Sequence, residues 1–184
     1  MPRSTGMEQT LVASAGEAPT ASELAFDRLY RSSRDDLYAY VASLLRDDAA
    51  AEEVTALAFE RAYRKRRRFD PERGEPRAWL FGIARNAALD ELRRRGRQAE
   101  LAADPADLDA LGADESIERG ERRLAVATAL ERLTPAEREL IALKYFAGLG
   151  NAEIAQVIGT SESNAGTKLH RAMTKLREAC DGAA

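Results

Sequence analysis

Residues 133–172 read LTPAERELIALKYFAGLGNAEIAQVIGTSESNAGTKLHRA, and the helix start and stop signals in this stretch define three helices. Residues 134–137 (TPAE) combine a capping box with a proline in the first helical turn, which are two independent signals for a helix start. Residues 147–150 break that helix, Gly159 ends a short second helix, and Ser161 caps a third. A short helix, a glycine turn and a longer basic helix predict a helix-turn-helix motif.

The last of these helices separates polar from apolar side chains. Leu169, Met173 and Leu176 share one face, and polar residues occupy the first turns of the opposite face. In a helix-turn-helix these turns enter the major groove, where Asn and Arg pair with base edges and Ser, Thr and Lys reach phosphates. The residues expected to contact DNA in this way are Ser163, Asn164, Thr167, Lys168 and Arg171. The alternative is a short polar helix in a bundle that binds only protein.

Three more helices are predicted upstream. Apolar residues recur at three- and four-residue steps from Ser22, and a second helix starts at Asp47 and Asp48 and ends in the bases of residues 64–68. Residues 69–76 contain two prolines and a glycine, so they form a loop, and a third helix follows over about residues 77–95. The predicted fold is all-α.

The net charge of −3 conceals a strong separation of charge along the chain. Residues 61–97 hold 13 basic and 5 acidic side chains, whereas residues 98–121 hold 1 basic and 8 acidic ones. The first block, at +8, indicates polyanion binding. The second block, at −7, has two alternative roles, mimicry of an anion's negative charge or simple solvation of the chain. We interpret this block as a flexible acidic linker.

Aromatic side chains are interleaved with the arginines on both sides of the loop at residues 69–76. Bases and aromatics around a flexible segment suit single-stranded or melting nucleic acid, because phosphates are neutralised while exposed bases stack. The alternatives are a solvated helix end for the arginines and core packing for Trp79 and Phe81. Removing Arg66, Arg67 and Arg68 together is expected to leave the fold intact.

Composition narrows the class of protein. With 184 residues, 45% of them hydrophobic and 6% aromatic, the chain is expected to fold as two small domains and not to bury one large core. One cysteine, Cys180, and one histidine, His170, leave no intrachain disulfide and no Cys/His metal site. Apolar stretches are too short for a membrane span, and residues 1–21 contain no run of signal-peptide length, so we expect a mobile leader and a cytoplasmic protein.

The motifs together resemble the sigma-70 family of bacterial RNA polymerase sigma factors. Residues 26–30 (FDRLY), 51–63, 77–86 (RAWLFGIARN) and 90–95 (DELRRR) look like region 2. Residues 130–177, with LTPAER, EIA and KLHRA, are similar to region 4. Two such regions with a short linker resemble the extracytoplasmic-function (ECF) subgroup, over about residues 22–180. The implied organisation is a leader at 1–21, region 2 at 22–97, a linker at 98–121 and region 4 at 122–181.

The resemblance implies a factor without catalytic activity, metal or cofactor, which binds core RNA polymerase and promoter DNA. Region 2 would bind the polymerase clamp and open the minus-10 element, and region 4 would bind the polymerase flap and read the minus-35 element. The implied minus-10 residues are Arg66, Arg67, Arg68, Phe69, Arg73, Arg77, Trp79, Arg85, Asn86, Arg93 and Arg94. The implied minus-35 residues are Ser161, Ser163, Asn164, Thr167, Lys168 and Arg171. The implied polymerase-binding residues are Glu52, Glu53, Thr55, Leu57 and Phe59.

Two positions depart from the family pattern. Leu57 lies where the polymerase-binding helix usually carries an acid, and Gly166 lies within the recognition helix, where it lowers helix propensity. They motivate an alternative function, a sigma-like protein held by a partner such as an anti-sigma factor, or one that modulates polymerase without productive initiation. An enzyme acting on nucleic acid is disfavoured, because only Asp70, Glu72 and Glu75 lie beside the basic block.

Overall fold

The computed structural model describes residues 20–102 and 126–181, apart from the side chains of Arg73 and of residues 98–102. The expected leader, up to residue 19, and residues 103–121 of the expected acidic linker lie outside the described residues. Within the described part the chain is all-α and contains no strand. The helices are α1 (Ala21–Leu45), α2 (Asp48–Lys65), α3 (Pro76–Ala102), α4 (126–131), α5 (Pro135–Tyr145), α6 (Asn151–Ile158) and α7 (Glu162–Asp181).

The first domain is a bundle of α1, α2 and α3, each packed on the other two. Thr20 and Glu23 form a capping box at the start of α1, and Asp47 accepts a hydrogen bond from the Ala50 N–H at the start of α2. Alanines such as Ala58 and Ala84 are fully buried between the helices, which lets the helix axes approach closely. Two short 3₁₀ turns, Arg66–Arg68 and Pro71–Arg73, connect α2 to α3.

The second domain consists of α4 to α7. Helices α6 and α7 form the predicted helix-turn-helix, which is thereby confirmed. The Thr134 hydroxyl accepts from the Glu137 N–H, and the Glu137 carboxylate accepts from the Thr134 N–H. Gly159 adopts the left-handed conformation at φ 70° and ψ 48°, which glycine reaches without the steric cost of a Cβ, and it turns the chain from α6 into α7.

Apolar side chains pack across the boundary between the two domains, so the expectation that the chain buries no large core is wrong, but the second domain also has a smaller core cluster of its own, formed by Leu133, Ile141 and Ala172. A single cluster of buried side chains joins Leu37 and Phe81 of the first domain to Leu143 and Ile154 of the second. Helix α6 packs on α3, and α5 contacts α1. The domains meet because the apolar surface of α6 is larger than α7 alone can cover. The remaining apolar face of α6 is therefore buried against the neighbouring helix, α3.

Helix α3 is longer than predicted. It extends to Ala102, whereas the sequence pattern places its end near Arg95. Residues 98–102 (QAELA) are all favourable helix formers, and the next proline is Pro105, so nothing stops the helix where its inward apolar pattern ends.

Candidate nucleic-acid interface

The polar face of α7 lies on the surface as predicted. Ser163, Thr167, Lys168 and Arg171 are exposed, whereas Leu169 is buried against the rest of the domain. Lys168 and Arg171 form no ion pair with the described residues. Their cationic groups are therefore available to a polyanion.

The first turn of α7 is fixed by local hydrogen bonds. The Ser161 hydroxyl accepts from the Asn164 N–H at 3.3 Å, and the Asn164 side-chain amide donates to the Thr160 hydroxyl at 2.7 Å. The Thr167 hydroxyl donates to the Ser163 carbonyl at 2.9 Å. These bonds orient the polar groups at the end of the helix that a helix-turn-helix presents to DNA.

Gly166 faces the preceding helix. A Cβ built on Gly166 would lie 3.3 Å from the side-chain nitrogen of Asn151, the first residue of α6. The position is therefore part of the α6–α7 crossing, and a side chain there would first meet Asn151.

Arg66 differs from the two arginines that follow it. Its guanidinium lies 3.7 Å from the centre of the Tyr63 ring, donates to the Tyr63 carbonyl at 2.8 Å, and forms an ion pair with Glu23 at 3.3 Å. The expectation that all three arginines can be removed without affecting the fold is therefore wrong for Arg66, which ties α2 to α1. Arg67 and Arg68 are exposed and form no ion pair with described residues.

The aromatic residues beside the loop are packed to different degrees. Phe69 and Trp79 are half-buried, with ring centres 5.2 Å apart, and Phe81 is fully buried. The first two leave part of their ring surface accessible, which a stacking role requires.

Arg77 and Arg85, two of the expected minus-10 residues, are occupied by partners within the protein. Arg77 donates to the Ser32 carbonyl, to Asp36, and to the Ala147 carbonyl of the second domain at 2.7 Å. Arg85 donates to both carboxylate oxygens of Glu139 on α5, at 2.6 and 3.1 Å. Glu139 raises the pKa of Arg85 above its already high ordinary value, mainly through this hydrogen bonding.

The other expected minus-10 residues lie along α3 on its exposed side. Asn86 is exposed, Arg93 pairs with Asp90 at 2.9 Å, and Arg94 pairs with Glu91 at 2.7 Å. Hydrogen bonds from Arg94 and then Arg95 lower the pKa of Glu91 to about 2. The side chain of Arg73 lies outside the described part of the protein.

The expected polymerase-binding residues lie on one helix but are not equally accessible. Glu52 and Glu53 are exposed, Leu57 is half-buried against the core, and Phe59 is buried with its ring 4.7 Å from that of Tyr30. The Thr55 hydroxyl is buried and finds no hydrogen-bond partner among the described residues. A surface groove of about 370 Å³ is lined by Tyr30, Arg34, Tyr38, Glu52, Thr55, Ala56 and Phe59.

Among the side chains that the structure describes, no three of His, Cys, Asp or Glu are grouped so that they could hold a metal ion. None of the described helices combines the length and the apolar character that crossing a bilayer requires.

Sequence reasoning missed Glu139, which is the one buried charged residue among those the structure describes, with 8% of the residue exposed. Glu139 also accepts a hydrogen bond from the Tyr40 hydroxyl at 3.2 Å, across the boundary between the domains. The sequence did contain a signal for this residue. Glu139 precedes Leu143 by four residues, so the two side chains lie on the same, core-facing side of α5. A charge buried there is costly unless it has a partner, so a partner for Glu139 could have been expected.

Comparison with known proteins agrees with this architecture. Residues 29–98 match the model of Sigma-70 region 2, and residues 123–176 match that of Sigma-70, region 4. The chain is 33% identical over 162 residues to the ECF RNA polymerase sigma factor SigK of Mycobacterium ulcerans, covering 85% of this chain and 86% of SigK.

Solved structures match the fold as well. The sigma factor RpoE of Bartonella quintana, in complex with the anti-sigma factor NepR, superposes with a TM-score of 0.71 at 22% identity, over 85% of this chain and 97% of RpoE. CnrH in complex with the cytosolic domain of CnrY superposes with a TM-score of 0.64 at 26% identity, over 88% of this chain and 90% of CnrH. By its matches to both sigma regions and to SigK over most of both chains, this protein belongs to the ECF RNA polymerase sigma factors, a family of DNA-binding transcription factors.

Proposed function

We propose that this sigma factor uses three of its surfaces in initiation, with no catalytic activity of its own. The exposed face of α7 reads the minus-35 element, the loop between α2 and α3 together with α3 opens the minus-10 element, and α2 binds the clamp of core polymerase. The proposal places the protein in the cytoplasm, where bacterial polymerase and promoter DNA are found.

The observation that carries the proposal is the α7 surface. It presents two cations, Lys168 and Arg171, that form no ion pair with the described residues, beside an oriented amide, Asn164, on the second helix of a helix-turn-helix. Cations on this face neutralise phosphates, and an amide reads a base edge, so the same turn supplies both affinity and specificity.

The clamp assignment is supported by the groove between α1 and α2. The Thr55 hydroxyl in this groove has no hydrogen-bond partner among the described residues, so a bound partner can supply one. Glu52, which also lines the groove, supplies a charge. Leu57 contributes packing to the core at the position where the family pattern has an acid, so its replacement is expected to affect stability before it affects polymerase binding.

A further partner follows by analogy. CnrH, to which this chain is similar, is described in complex with the cytosolic domain of CnrY, and RpoE with an anti-sigma factor. We propose that this chain is also held by an anti-sigma factor when it is inactive.

Run-off transcription with core polymerase and a promoter library tests the proposal. Wild-type protein with core should select a family of promoters, and the combined Lys168→Ala and Arg171→Ala variant should lose that selection. Arg177→Ala, which removes an exposed charge further along α7, is the matched control and should transcribe normally. If wild-type protein with core yields no transcripts, or the α7 double variant selects the same promoters as wild type, the proposed role of this surface is wrong.

A further inference from the structure

The side-chain amide of Asn164 is held by a residue of the turn between α6 and α7. Its nitrogen donates to the Thr160 hydroxyl at 2.7 Å, at the short end of the range for an N–H···O bond. Thr160 is half-buried, and its own N–H donates to the Ala155 carbonyl of α6 at 2.9 Å. The turn of the helix-turn-helix therefore fixes the hydroxyl, and the hydroxyl fixes the amide.

Asn164 differs in this respect from the equivalent residues of two other helices. Glu23 in α1 and Glu137 in α5 lie three residues after a capping threonine, and each carboxylate turns back to the N–H of that threonine. Asn164 lies three residues after Ser161, and its N–H donates to the Ser161 hydroxyl. Its side chain bonds to Thr160 instead and is exposed, so the rest of the amide is open to a ligand.

The bond to Thr160 determines which hydrogen-bonding groups the amide still offers. A carboxamide has two N–H donors and a carbonyl acceptor. With one N–H committed to the Thr160 hydroxyl, one donor and one acceptor remain. Adenine presents one acceptor, N7, and one donor, its N6 amino group, in the major groove, so it satisfies both. Guanine presents two acceptors there and can use only the donor.

Without the Thr160 hydroxyl the amide is freer in two ways. The last side-chain bond of asparagine has a broad, two-fold torsional preference, so the oxygen and the nitrogen can exchange places. Both N–H groups are then also available to the two acceptors of guanine. A bond that orients the amide before DNA arrives also lowers the entropic cost of ordering this side chain on binding. The hydroxyl can therefore influence the choice of base without touching a base.

We propose that Thr160 is a positioning residue for promoter recognition, whose hydroxyl holds the Asn164 amide in the orientation that reads adenine at one position of the minus-35 element. This inference rests on the proposed function of the α7 surface and deepens it. Lys168 and Arg171 supply affinity for phosphates, which is the same for every sequence. The Thr160–Asn164 pair supplies the choice of one base.

The test measures the base preference of the holoenzyme on promoters whose minus-35 element is randomised. Bound promoters are separated from unbound ones and both are sequenced. Asn164→Ala identifies the position that Asn164 reads, as the one whose preference is lost. Thr160→Val then removes the hydroxyl at nearly constant volume, and Thr160→Ser keeps it. Thr174→Val is the matched control, because the Thr174 hydroxyl donates to the His170 carbonyl further along α7, at 3.1 Å.

We expect Asn164→Ala to abolish a preference for adenine at one position. Thr160→Val should reduce that preference roughly fivefold, the equivalent of one neutral hydrogen bond, and should leave the other positions unchanged. Thr160→Ser should retain the preference, and Thr174→Val should match wild type. Melting temperatures show whether the variants fold. If Thr160→Val lowers the melting temperature, Thr160→Ala, which also lacks the hydroxyl, takes its place with the same expected result.

Three results would overturn this inference while the holoenzyme still selects promoters, so that the proposed function stands. The first is that Asn164→Ala alters no base preference, or alters one for a base other than adenine. The second is that the variant without the hydroxyl keeps the adenine preference of wild type, or that Thr160→Ser loses it too. The third is that the variant without the hydroxyl weakens binding equally for every base, as a purely structural role requires. A wild-type holoenzyme that selects no minus-35 sequence contradicts the proposed function, and this inference with it.

Discussion

The guanidinium of Arg85 on α3 and the carboxylate of Glu139 on α5 join the two domains by a two-point ion pair with its shorter bond at 2.6 Å. The Tyr40 hydroxyl, fully buried on α1, completes the coordination of the carboxylate. Burial, and then the adjacent Glu139 charge, hold the pKa of Tyr40 well above its ordinary value. Three helices are thereby connected at one point of the domain boundary.

Tyr40→Phe should lower the free energy of unfolding by about 1 kcal/mol at pH 7, because Glu139 loses one hydrogen bond and the ring still fills its site. The pKa of Tyr40 is raised in the folded state, so the phenol contributes stability that is present below pH 10 and is lost as the pH rises further. The difference between wild type and variant should therefore shrink above pH 10. Urea denaturation at pH 7 and at pH 10.5 measures it.

Tyr145→Phe is the control for this substitution, because Tyr145 is 61% exposed. It should change stability little at either pH. A Tyr40→Phe variant as stable as Tyr145→Phe would show that the Tyr40 hydroxyl contributes nothing at the boundary.

Arg67→Ala combined with Arg68→Ala should leave the stability of the protein unchanged and weaken opening of the minus-10 element by the holoenzyme. Both side chains are exposed, and each lost phosphate contact should reduce the slope of log affinity against log salt by about one unit. A fluorescent base placed in the minus-10 element reports opening. Unchanged opening at all salt concentrations would exclude these two arginines from the interface.

Arg66→Ala is expected to behave differently from the double variant. It removes the contacts to Tyr63 and Glu23 and so should lower the melting temperature. The measurement is the melting temperature of the Arg66→Ala variant against that of the Arg67→Ala and Arg68→Ala double variant. Equal melting temperatures would show that Arg66 is no more important to the fold than the two exposed arginines.

Gly166→Ala should stabilise α7 by about 0.5 to 1 kcal/mol, the difference in helix propensity between the two residues. The added Cβ meets the side chain of Asn151 at 3.3 Å, but Asn151 is exposed and can move by the few tenths of an ångström required. Binding of minus-35 duplex should be unchanged at every salt concentration, because the new methyl group faces α6.

Gly159→Ala provides the opposite control, since Gly159 has φ 70° and alanine there is strained. It should lower the melting temperature where Gly166→Ala raises it. A loss of minus-35 binding by Gly166→Ala at unchanged stability would mean that DNA approaches the backbone too closely there for any side chain.

Glu91→Gln should make stability less sensitive to acid. The pKa of Glu91 is lowered to about 2 in the folded protein, so its ionised form contributes stability above about pH 4.5 that is lost as the pH falls toward 2. With the contribution reduced for solvent screening, the variant should be about 1 kcal/mol less stable than wild type at pH 7. The difference should narrow as the pH falls from about 4.5 toward 2.

Urea denaturation across that pH range measures the effect, with Glu178→Gln, an exposed acid of α7, as the control. The control should match wild type at pH 7. If the Glu91→Gln variant is as stable as wild type at neutral pH, the hydrogen bonds from the two arginines contribute nothing to the free energy of unfolding.

The sequence alone determined the order of the helices and the family, although it did not determine where α3 ends. Thr134-Pro135-Ala136-Glu137 and Gly159 are local signals, because a capping box and a left-handed turn involve residues within a few positions of one another. The polar face of α7 followed from helical periodicity for the same reason, and the expectation that its residues are exposed is confirmed.

Only the tertiary structure decided how the two domains meet. Glu139 and Tyr40 are 99 residues apart in the chain, and Arg85 and Glu139 are 54 apart, so no periodic or capping pattern connects them. The basic block itself did not distinguish Arg66, which packs on Tyr63, from the exposed Arg67 and Arg68, because exposure depends on which neighbouring helix covers a side chain. Local sequence fixes a residue's backbone conformation, whereas its partner and its access to DNA depend on packing between distant segments.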